Sequence, residues 1–314
     1  MKLATFLTAA GEQRIAAVDP GRGRALDLAA AALLTGRRDT PGLSSMLALI
    51  EAGDAGLAEA QRIAGEWPVG AEIALAEIKL LAPLPRPNSI RDCLVFEQHM
   101  IDANLRLAKI MGREPTPIPP LWYERPTYYK GNRMSVVGTE TDVIWPRYSE
   151  EMDFELEMAC IVGRQGKDIP REQGLDHIFG FTIFNDFSAR DTQSKEKVFG
   201  QGPTKGKDFD TGNALGPWIV TRDEIGDPQT LKMEVRVNGE RWGGGNSSGM
   251  YHPFAAIIAF ISTEETIYPG DVIGSGTVGT GCGLELGRFP KPGDVIELEI
   301  EKIGILRNRL VKLA

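Results

Sequence analysis

A run of alternating carboxylates between Glu150 and Val162 carries the most informative chemistry in this chain, which there reads EEMDFELEMACIV. Asp153, Glu155 and Glu157 occupy every second position, and apolar residues fill the positions between them. Alternation with a period of two predicts a strand with the three carboxylates on one face. Asp and Glu are poor strand formers, so the pattern requires a reason. It predicts either a solvated sheet edge or a bound hard cation, because Mg²⁺, Mn²⁺ and Ca²⁺ prefer carboxylate oxygens.

A second acidic group lies in the sequence FNDFSARD at residues 184–191. The apolar run Phe179–Phe184 predicts a buried strand, and Asp186 follows it almost directly. A carboxylate at the end of a buried strand can complete a metal site, although a lone Asp in that position is also a common helix N-cap. Arg190 and Asp191 come next and could pair with nearby charges.

Two glycine-rich segments could approach a ligand closely. The first, GQGPTKGKDFDTGNALGPW at 200–218, contains Lys207 but lacks the spacing of a phosphate-binding loop. It predicts a mobile active-site loop whose lysine binds a substrate carboxylate or enolate oxygen, or else a solvated loop. The second, GSGTVGTGCGLELG at 274–287, offers the hydroxyl of Thr277 and the carboxylate of Glu285. From the residues alone, a bulged glycine-rich turn is the favoured interpretation of this second segment.

Histidine is scarce, and only one of the three has a carboxylate close in sequence on a helix. His99 lies on the predicted helix Asp92–Gly112, and Asp102 shares its face three residues later. A helical histidine with a carboxylate in reach is a candidate general base. His177 is expected at a helix end in a structural role, and His252 in a loop.

Composition narrows the classes of function. The chain has 314 residues, 42% of them hydrophobic, and its net charge of −8 argues against nucleic acid as a partner. No apolar run of about eighteen residues occurs, so a membrane span is not expected. The three cysteines, Cys93, Cys160 and Cys282, lack the spacing of a zinc site and favour a reduced, cytoplasmic setting.

The pattern of elements predicts an α+β, β-rich fold with a small N-terminal α+β domain over residues 1–85 and a larger domain over residues 86–314. The elements predicted in the first are strands Lys2–Thr8 and Arg14–Val18 and helices Leu26–Thr35, Gly42–Glu51 and Gly56–Gly65. The proline-rich segment 81–90 is predicted to be a linker. The second contains a predicted helix at about 253–262 and strands at Leu231–Val237, Asp271–Gly274 and Val295–Glu301, with a hairpin turn at Asn238-Gly239.

Taken in order, these segments resemble the fumarylacetoacetate hydrolase family over residues 86–314. The family's metal strand, D-x-E-x-E-L, is matched by DFELEM at 153–158, and its motif N-D-x-S-A-R-D-x-Q by NDFSARDTQ at 185–193. A GK loop before GPW, a VNGE turn, a PGD stretch, a GT-x-x-G loop and the ending IGILRN follow in the family's order. The resemblance implies a mixed β-sandwich or β-roll catalytic domain in a larger bacterial-type member with an N-terminal domain.

The resemblance also implies a divalent metal, Mg²⁺ or else Mn²⁺ or Ca²⁺. The implied metal ligands are Glu155, Glu157 and Asp186, with Asp92 as a further candidate and Asp153 in a supporting position. His99 would be the general base. Its partner would be Glu285 or, in an acylpyruvase-like branch of the family, the residue at the position of Asp102.

Further side chains match positions that contact substrate in the family. The implied contacts are Lys207 and Gln193 at the oxyanion, and Tyr129, Thr277 and Arg190 at the rest of the substrate. A tyrosine that fumarylacetoacetases carry just before the glycine loop is missing, since residues 197–199 read KVF.

The reaction that the resemblance implies is hydrolysis of a C–C bond in a 2,4-diketo acid, such as an acylpyruvate, in aromatic or sugar acid catabolism. His99 would activate the water, and the metal would neutralise the enolate that leaves. The alternatives are a hydratase, isomerase or decarboxylase of 2-oxo acids on the same scaffold, and a non-catalytic protein that binds a metal or a sugar acid. The family is usually dimeric, so the resemblance implies a homodimer whose ligand is a small oxo acid.

Overall fold

The computed structural model describes residues 1–313 and is dominated by one large sheet. The strands are β1 (Lys2–Leu7), β2 (Gln13–Asp19), β3 (Arg24–Asp27), β4 (Glu72–Ala74), β5 (Lys79–Leu80), β6 (Ser89–Cys93), β7 (Tyr128–Gly131), β8 (Val136–Val137), β9 (Asp142–Ile144), β10 (Met152–Asp153), β11 (Leu156–Val162), β12 (Ile178–Asp186), β13 (Ser188–Ala189), β14 (Asn213–Thr221), β15 (Lys232–Val237), β16 (Glu240–Asn246), β17 (Asp271–Gly274), β18 (Val295–Ile300) and β19 (Gly304–Val311). The α-helices are α1 (Leu28–Leu34), α2 (Met46–Glu51), α3 (Gly53–Glu66), α4 (Glu97–Met111), α5 (Pro120–Glu124), α6 (Arg190–Glu196), α7 (Arg222–Ile225), α8 (Phe254–Ser262) and α9 (Gly283–Leu286).

The large sheet has twelve strands, in the order β4-β3-β2-β1-β14-β12-β11-β17-β6-β7, with β5 on β1 and β8 on β14. A five-stranded sheet, β16-β15-β18-β19-β9, and the short pair β10-β13 lie beside it. This mixed arrangement with helices confirms the predicted α+β, β-rich fold. Among residues 1–313, no helix combines the length and apolar character needed to cross a lipid bilayer.

Strand β11 separates two hydrophobic cores, and its residues alternate between them. Met158 and Cys160 join the core that includes the five-stranded sheet, whereas Ala159 and Ile161 join the core beneath helices α1 to α3. Because both faces are covered, the strand reads as a continuous apolar run after Glu157.

The N-terminal segment is joined to the rest of the chain through this sheet. Strand β1 pairs with β14 at Lys2–Val220 and Leu3–Ile219. The segment 81–90 is not a free linker, because Ala82 and Leu84 are buried and its last two residues enter β6. The division into two domains at residue 85 stays a prediction, since one sheet and one core run across that point.

Several predicted elements are confirmed. The N-terminal hairpin forms as β1 and β2, and Asn238-Gly239 joins β15 to β16 with positive φ at both residues. Strand β17 has its predicted bounds, and α8 lies where a helix was expected.

Three N-terminal helices have different bounds from those predicted. The helix expected from Leu26 begins at Leu28, because Arg24–Asp27 pairs with β2 and the Asp27 side chain caps the helix at the Ala30 N–H. The helix expected from Gly42 begins only at Met46. The third runs from Gly53 to Glu66, so Gly65 lies inside it and does not end it.

The prediction that a helix spans Asp92–Gly112 is wrong at its start. Asp92 belongs to β6, where it pairs in parallel with Gly274 of β17. The helix α4 begins at Glu97 and ends at Met111, one residue short of the predicted end, because Gly112 has a φ of 61° and forms a left-handed cap.

The alternating carboxylates do not lie on one continuous strand. Met152 and Asp153 pair with β13, Glu155 forms an isolated bridge to Cys282, and regular pairing with β12 and β17 begins only after it. The chain thus changes partners within the run, at Phe154.

We predict that Phe154→Ala destabilises the fold by about 3–5 kcal/mol, because the side chain is completely buried and packs against the Trp242 ring, so its removal leaves a cavity. Urea unfolding followed by circular dichroism measures the change. Phe199→Ala, the same substitution at a side chain that is 79% exposed, should change stability by less than about 0.5 kcal/mol. Equal losses in the two variants would contradict the expectation.

Candidate active site

Four carboxylates converge at one end of the large sheet. Asp92 comes from β6, Glu157 from β11 and Asp186 from the end of β12, while Glu155 lies at the bridge just before β11. All four side chains are buried, and one oxygen from each lies within 4.8 Å of the others. We refer to these four residues as the carboxylate cluster.

Gly274 makes room for the cluster. It lies on β17 between β11 and β6, and a Cβ atom added to it would come 2.4 Å from Asp92 Oδ1 and 3.0 Å from Glu157 Oε2. Two residues further along the chain, the Gly276 N–H donates to the same two oxygens, at 3.2 Å and 3.0 Å. Any side chain at position 274 would push these carboxylates apart.

Two buried cations lie against the cluster. Lys207 Nζ donates to Glu155 Oε2 at 2.5 Å and to Asp186. Arg190 donates from Nε to Asp153 Oδ2 at 2.8 Å and from Nη2 to Glu155 Oε1 at 2.7 Å. With Asp153 included, five buried carboxylates meet two cationic side chains, so full ionisation would leave three negative charges without compensation.

This imbalance perturbs the pKa of each carboxyl in the cluster. Burial raises the pKa of Asp92 to about 8, although a hydrogen bond with Glu157 acts in the opposite direction. Burial, with Asp92 as the nearest negative charge, raises the pKa of Glu157 well above its usual range, and burial also raises that of Asp186. Burial opposes ionisation of Glu155 as well, yet Lys207 and Arg190 together lower its pKa.

The cluster fits a divalent cation. Within the described chain, Glu157 Oε1 and Asp186 Oδ1 are buried and have no hydrogen-bond partner. Such unpaired anionic oxygens are costly unless a cation takes their lone pairs. A set of four carboxylates supplies only hard oxygen ligands, which is the donor type that Mg²⁺, Mn²⁺ and Ca²⁺ select.

A histidine and a glutamate lie next to the cluster. His99 on α4 places Nδ1 3.2 Å from Oε2 of Glu285 on α9, although the two atoms are not aligned as a hydrogen bond. The backbone N–H groups of Thr280 and Cys282 hold the Glu285 carboxylate in place. Asp102, the alternative partner for His99, instead accepts hydrogen bonds from Gln98.

One cavity of about 410 Å³ connects the cluster to the histidine. His99 lines it together with Asp92, Glu155 and Glu157, and Thr277 and Gln193 also contribute to the lining. Further residues of helix α4 and the segment 116–119 complete it. A ligand bound to the cluster would therefore lie in reach of the imidazole.

The remaining predicted substrate contacts are engaged with the cluster itself. The Tyr129 hydroxyl donates to Asp186, and Arg190 donates from Nη1 to Gln193 Oε1 at 3.1 Å. Asp153 lies outside the cavity lining and accepts from the N–H groups of Gly283 and Leu284 at the start of α9.

Sequence reasoning missed two parts of this arrangement. Gly274 stood only as the first residue of a glycine-rich segment, and nothing in that segment shows which side chains would meet its Cβ position. Asp153 joins Arg190 to the start of α9, a contact between residues 130 positions apart that the local pattern does not contain.

The chain is similar in sequence to a known family model and to characterised relatives. Residues 92–311 match the sequence model described as fumarylacetoacetate (FAA) hydrolase C-terminal. The chain is 34% identical over 269 residues to oxaloacetate tautomerase FAHD2A, mitochondrial, of Homo sapiens, which covers 85% of this chain and 80% of that protein. It is also 34% identical over 278 residues to oxaloacetate tautomerase YisK of Bacillus subtilis, with coverage of 85% and 86%.

A solved structure with the same fold carries a metal. The structure of maleylpyruvate hydrolase from Sphingobium sp. SYK-6, described as a complex with manganese(II) ion and pyruvate, matches with a TM-score of 0.74 and 26% identity over the full length of both chains. These matches to a family model over most of the chain, and to relatives at 34% identity, show that this protein belongs to the fumarylacetoacetate hydrolase family.

Proposed function

We propose that this protein is a divalent-metal-dependent enzyme that interconverts the keto and enol forms of a 2-oxo acid. The observation that carries the proposal is His99, which lines the same cavity as Asp92, Glu155 and Glu157 and has Nδ1 3.2 Å from Glu285 Oε2. Two relatives at 34% identity are named oxaloacetate tautomerases, and a keto–enol exchange needs only what this cavity offers. The requirements are a group that moves a proton and a site that tolerates an enolate.

Asp92, Glu155, Glu157 and Asp186 would hold the metal, which when bound supplies Lewis-acid polarisation of the 2-oxo oxygen and neutralises enolate charge. Lys207 and Tyr129 fix the ligand Asp186, and Arg190 fixes Glu155. Mg²⁺ is the expected ion, with Mn²⁺ or Ca²⁺ as alternatives. The expected homodimer and the cytoplasmic location stay predictions.

His99 moves the proton in this proposal. With Nδ1 directed to Glu285, Nε2 is the nitrogen left for the substrate. In the direction from enol to ketone, neutral His99 takes the proton of the enol oxygen, and the imidazolium so formed gives that proton to C3 of the substrate; the reverse reaction retraces these transfers. Glu285 stabilises the charged imidazole during the exchange, and Thr277 and Gln193 can donate to substrate oxygens.

Hydrolysis of a C–C bond is the second candidate, because the same pair could remove a proton from water. The structural similarity to a maleylpyruvate hydrolase favours it, at 26% identity. In that reaction hydroxide would attack the distal carbonyl of a 2,4-diketo acid, and the bond to the enolate carbon would break. A decarboxylase and a non-catalytic binding protein remain the other outcomes of a substrate test.

We expect the protein with Mg²⁺ to accelerate ketonisation of enol-oxaloacetate, and His99→Gln to slow it by about 10²–10⁴-fold, because general acid–base catalysis is lost. The loss of enol absorbance in the ultraviolet measures the rate. His177→Gln is the matched control, since that imidazole lies against the Arg164 carbonyl, outside the cavity. If enol decay is unchanged and an acylpyruvate is cleaved to pyruvate, the hydrolase is correct.

Gly274→Ala should weaken Mg²⁺ binding by at least about tenfold and also cost some stability, because the new methyl group meets the oxygens of Asp92 and Glu157 and the buried ring of Phe184. Isothermal titration of metal-free protein measures the affinity. Gly65→Ala is the matched control, since a Cβ there meets nothing within 4 Å on helix α3. Unchanged affinity in Gly274→Ala would show that the cluster does not bind the ion.

Metal binding should release protons and tighten as the pH rises. The pKa of Asp92 is raised to about 8 in the metal-free fold, so the folded state holds a proton that the unfolded chain has lost, and stability falls as the pH rises towards 8. An added cation displaces that proton. The increase in Tm caused by Mg²⁺ should therefore be larger at about pH 9 than at about pH 6. Asp92→Asn should flatten this dependence, and an equal increase at both pH values in the native protein would argue against it.

A further inference from the structure

Three cationic side chains line the cavity, and they differ in how fully they are paired. Arg190 is engaged by Asp153, Glu155 and Gln193. Lys207 lies between Glu155 and Asp186. The charges of Arg190 and Lys207 are therefore already neutralised by carboxylates, and neither side chain is free to bind a ligand group away from the cluster. The third cation is Lys197.

Lys197 has no counter-ion. It lies in the short turn Lys197–Phe199 that continues helix α6, four residues after Gln193. Across the described residues 1–313, its ammonium makes neither an ion pair nor a hydrogen bond, in contrast to the other two cavity cations. A cation that faces a cavity without a partner is a binding group for an anion that enters the cavity.

The surroundings of Lys197 support this assignment. The residue is exposed to solvent and also lines the cavity. Partial burial of its ammonium, followed by repulsion from Arg190, lowers its pKa. Glu155 is the nearby group that attracts it, but both oxygens of that carboxylate are already bound by Arg190 and Lys207. A second anion from the ligand would supply the missing charge.

We propose that Lys197 binds a second carboxylate of the substrate, so that the enzyme prefers 2-oxo dicarboxylates to 2-oxo monocarboxylates. The inference rests on the proposed function in one respect, namely that the 2-oxo acid end lies at the carboxylate cluster. Lys197 is then the cavity cation left for the opposite end, since Arg190 and Lys207 are already paired. A monocarboxylate would leave this ammonium unpaired beside two like charges.

Malate and lactate provide a direct test, because malate is lactate with one added carboxylate and neither can undergo keto–enol exchange. Titration into the Mg²⁺-loaded protein should give tighter binding for malate. Lys197→Met should weaken malate binding by about tenfold, the ratio that corresponds to one charged hydrogen bond of about 1.4 kcal/mol, and leave lactate binding unchanged. Lys197→Arg should restore most of the malate affinity, since it keeps the charge.

Lys195→Met controls for net charge, because Lys195 is an exposed residue of the same helix outside the cavity lining. It should bind both acids as the native protein does.

With oxaloacetate, Lys197→Met should raise KM about tenfold and leave kcat within about twofold, the signature of lost ground-state binding. If the native protein does not catalyse keto–enol exchange of oxaloacetate, the proposed function is refuted, but the malate and lactate titrations still test the role of Lys197. Equal binding of malate and lactate, no malate binding, or an equal loss of both acids in Lys197→Met would overturn the role of Lys197.

Discussion

Repulsion among buried carboxylates governs how the centre of this molecule is built. Two ionised carboxylates 4.8 Å apart repel by about 3–4 kcal/mol at an effective dielectric constant of about 20, and the cluster contains four such groups. The segment from Asp186 to Lys207 supplies the opposing charge: it contributes one member of the cluster and, within twenty-one residues, both cations that contact it. The two cations are not sufficient, and the raised pKa values of Asp92 and Glu157 express the remaining imbalance. A site that must either hold protons or bind a cation is well suited to take up a divalent metal ion.

The same charges also connect the cluster to the surroundings of His99. Arg190 lies between Asp153 and Glu155, and Asp153 in turn accepts two N–H groups at the start of the helix that carries Glu285. The geometry of the cluster and that of His99 are therefore joined through one buried carboxylate that lines no part of the cavity. Glu155 and Glu157, the other two carboxylates of the alternating run, line the cavity. Asp153 does not, and it affects the site only through its contacts with Arg190 and with the start of α9.

Local patterns predicted what lies close along the chain and failed where partners are distant. Alternation gave the common orientation of Glu155 and Glu157, but the break at Phe154 arises because the chain exchanges β13 for β12 and β17 as partners. Asp92 was expected on a helix, whereas it lies on a strand whose parallel pairing with Gly274 spans 182 residues, a distance that no local pattern covers. The family resemblance predicted the metal-binding carboxylates and the pair His99–Glu285 together. It could do so because the order of several motifs along the chain relates residues that are far apart, which a local pattern cannot. The 3.2 Å approach of Glu285 Oε2 to His99 Nδ1 joins two helices that are far apart in sequence, so no local pattern contains it, whereas Asp102 lies three residues from His99 and accepts from Gln98 instead.

The cluster and the imidazole do not by themselves select one reaction, because stabilising an enolate and moving a proton serve tautomerisation, C–C cleavage and decarboxylation alike. The selection must come from what stands between His99 and the bound acid. Hydrolysis requires a water molecule in that position, with a distal carbonyl behind it, whereas tautomerisation requires C3 of the substrate there. In the proposed binding mode, a short dicarboxylate held by the cluster and by Lys197 would keep C3 beside the imidazole. The reaction would then be set by the distance between the cluster and the Lys197 ammonium, since that distance would determine which carbon His99 can reach.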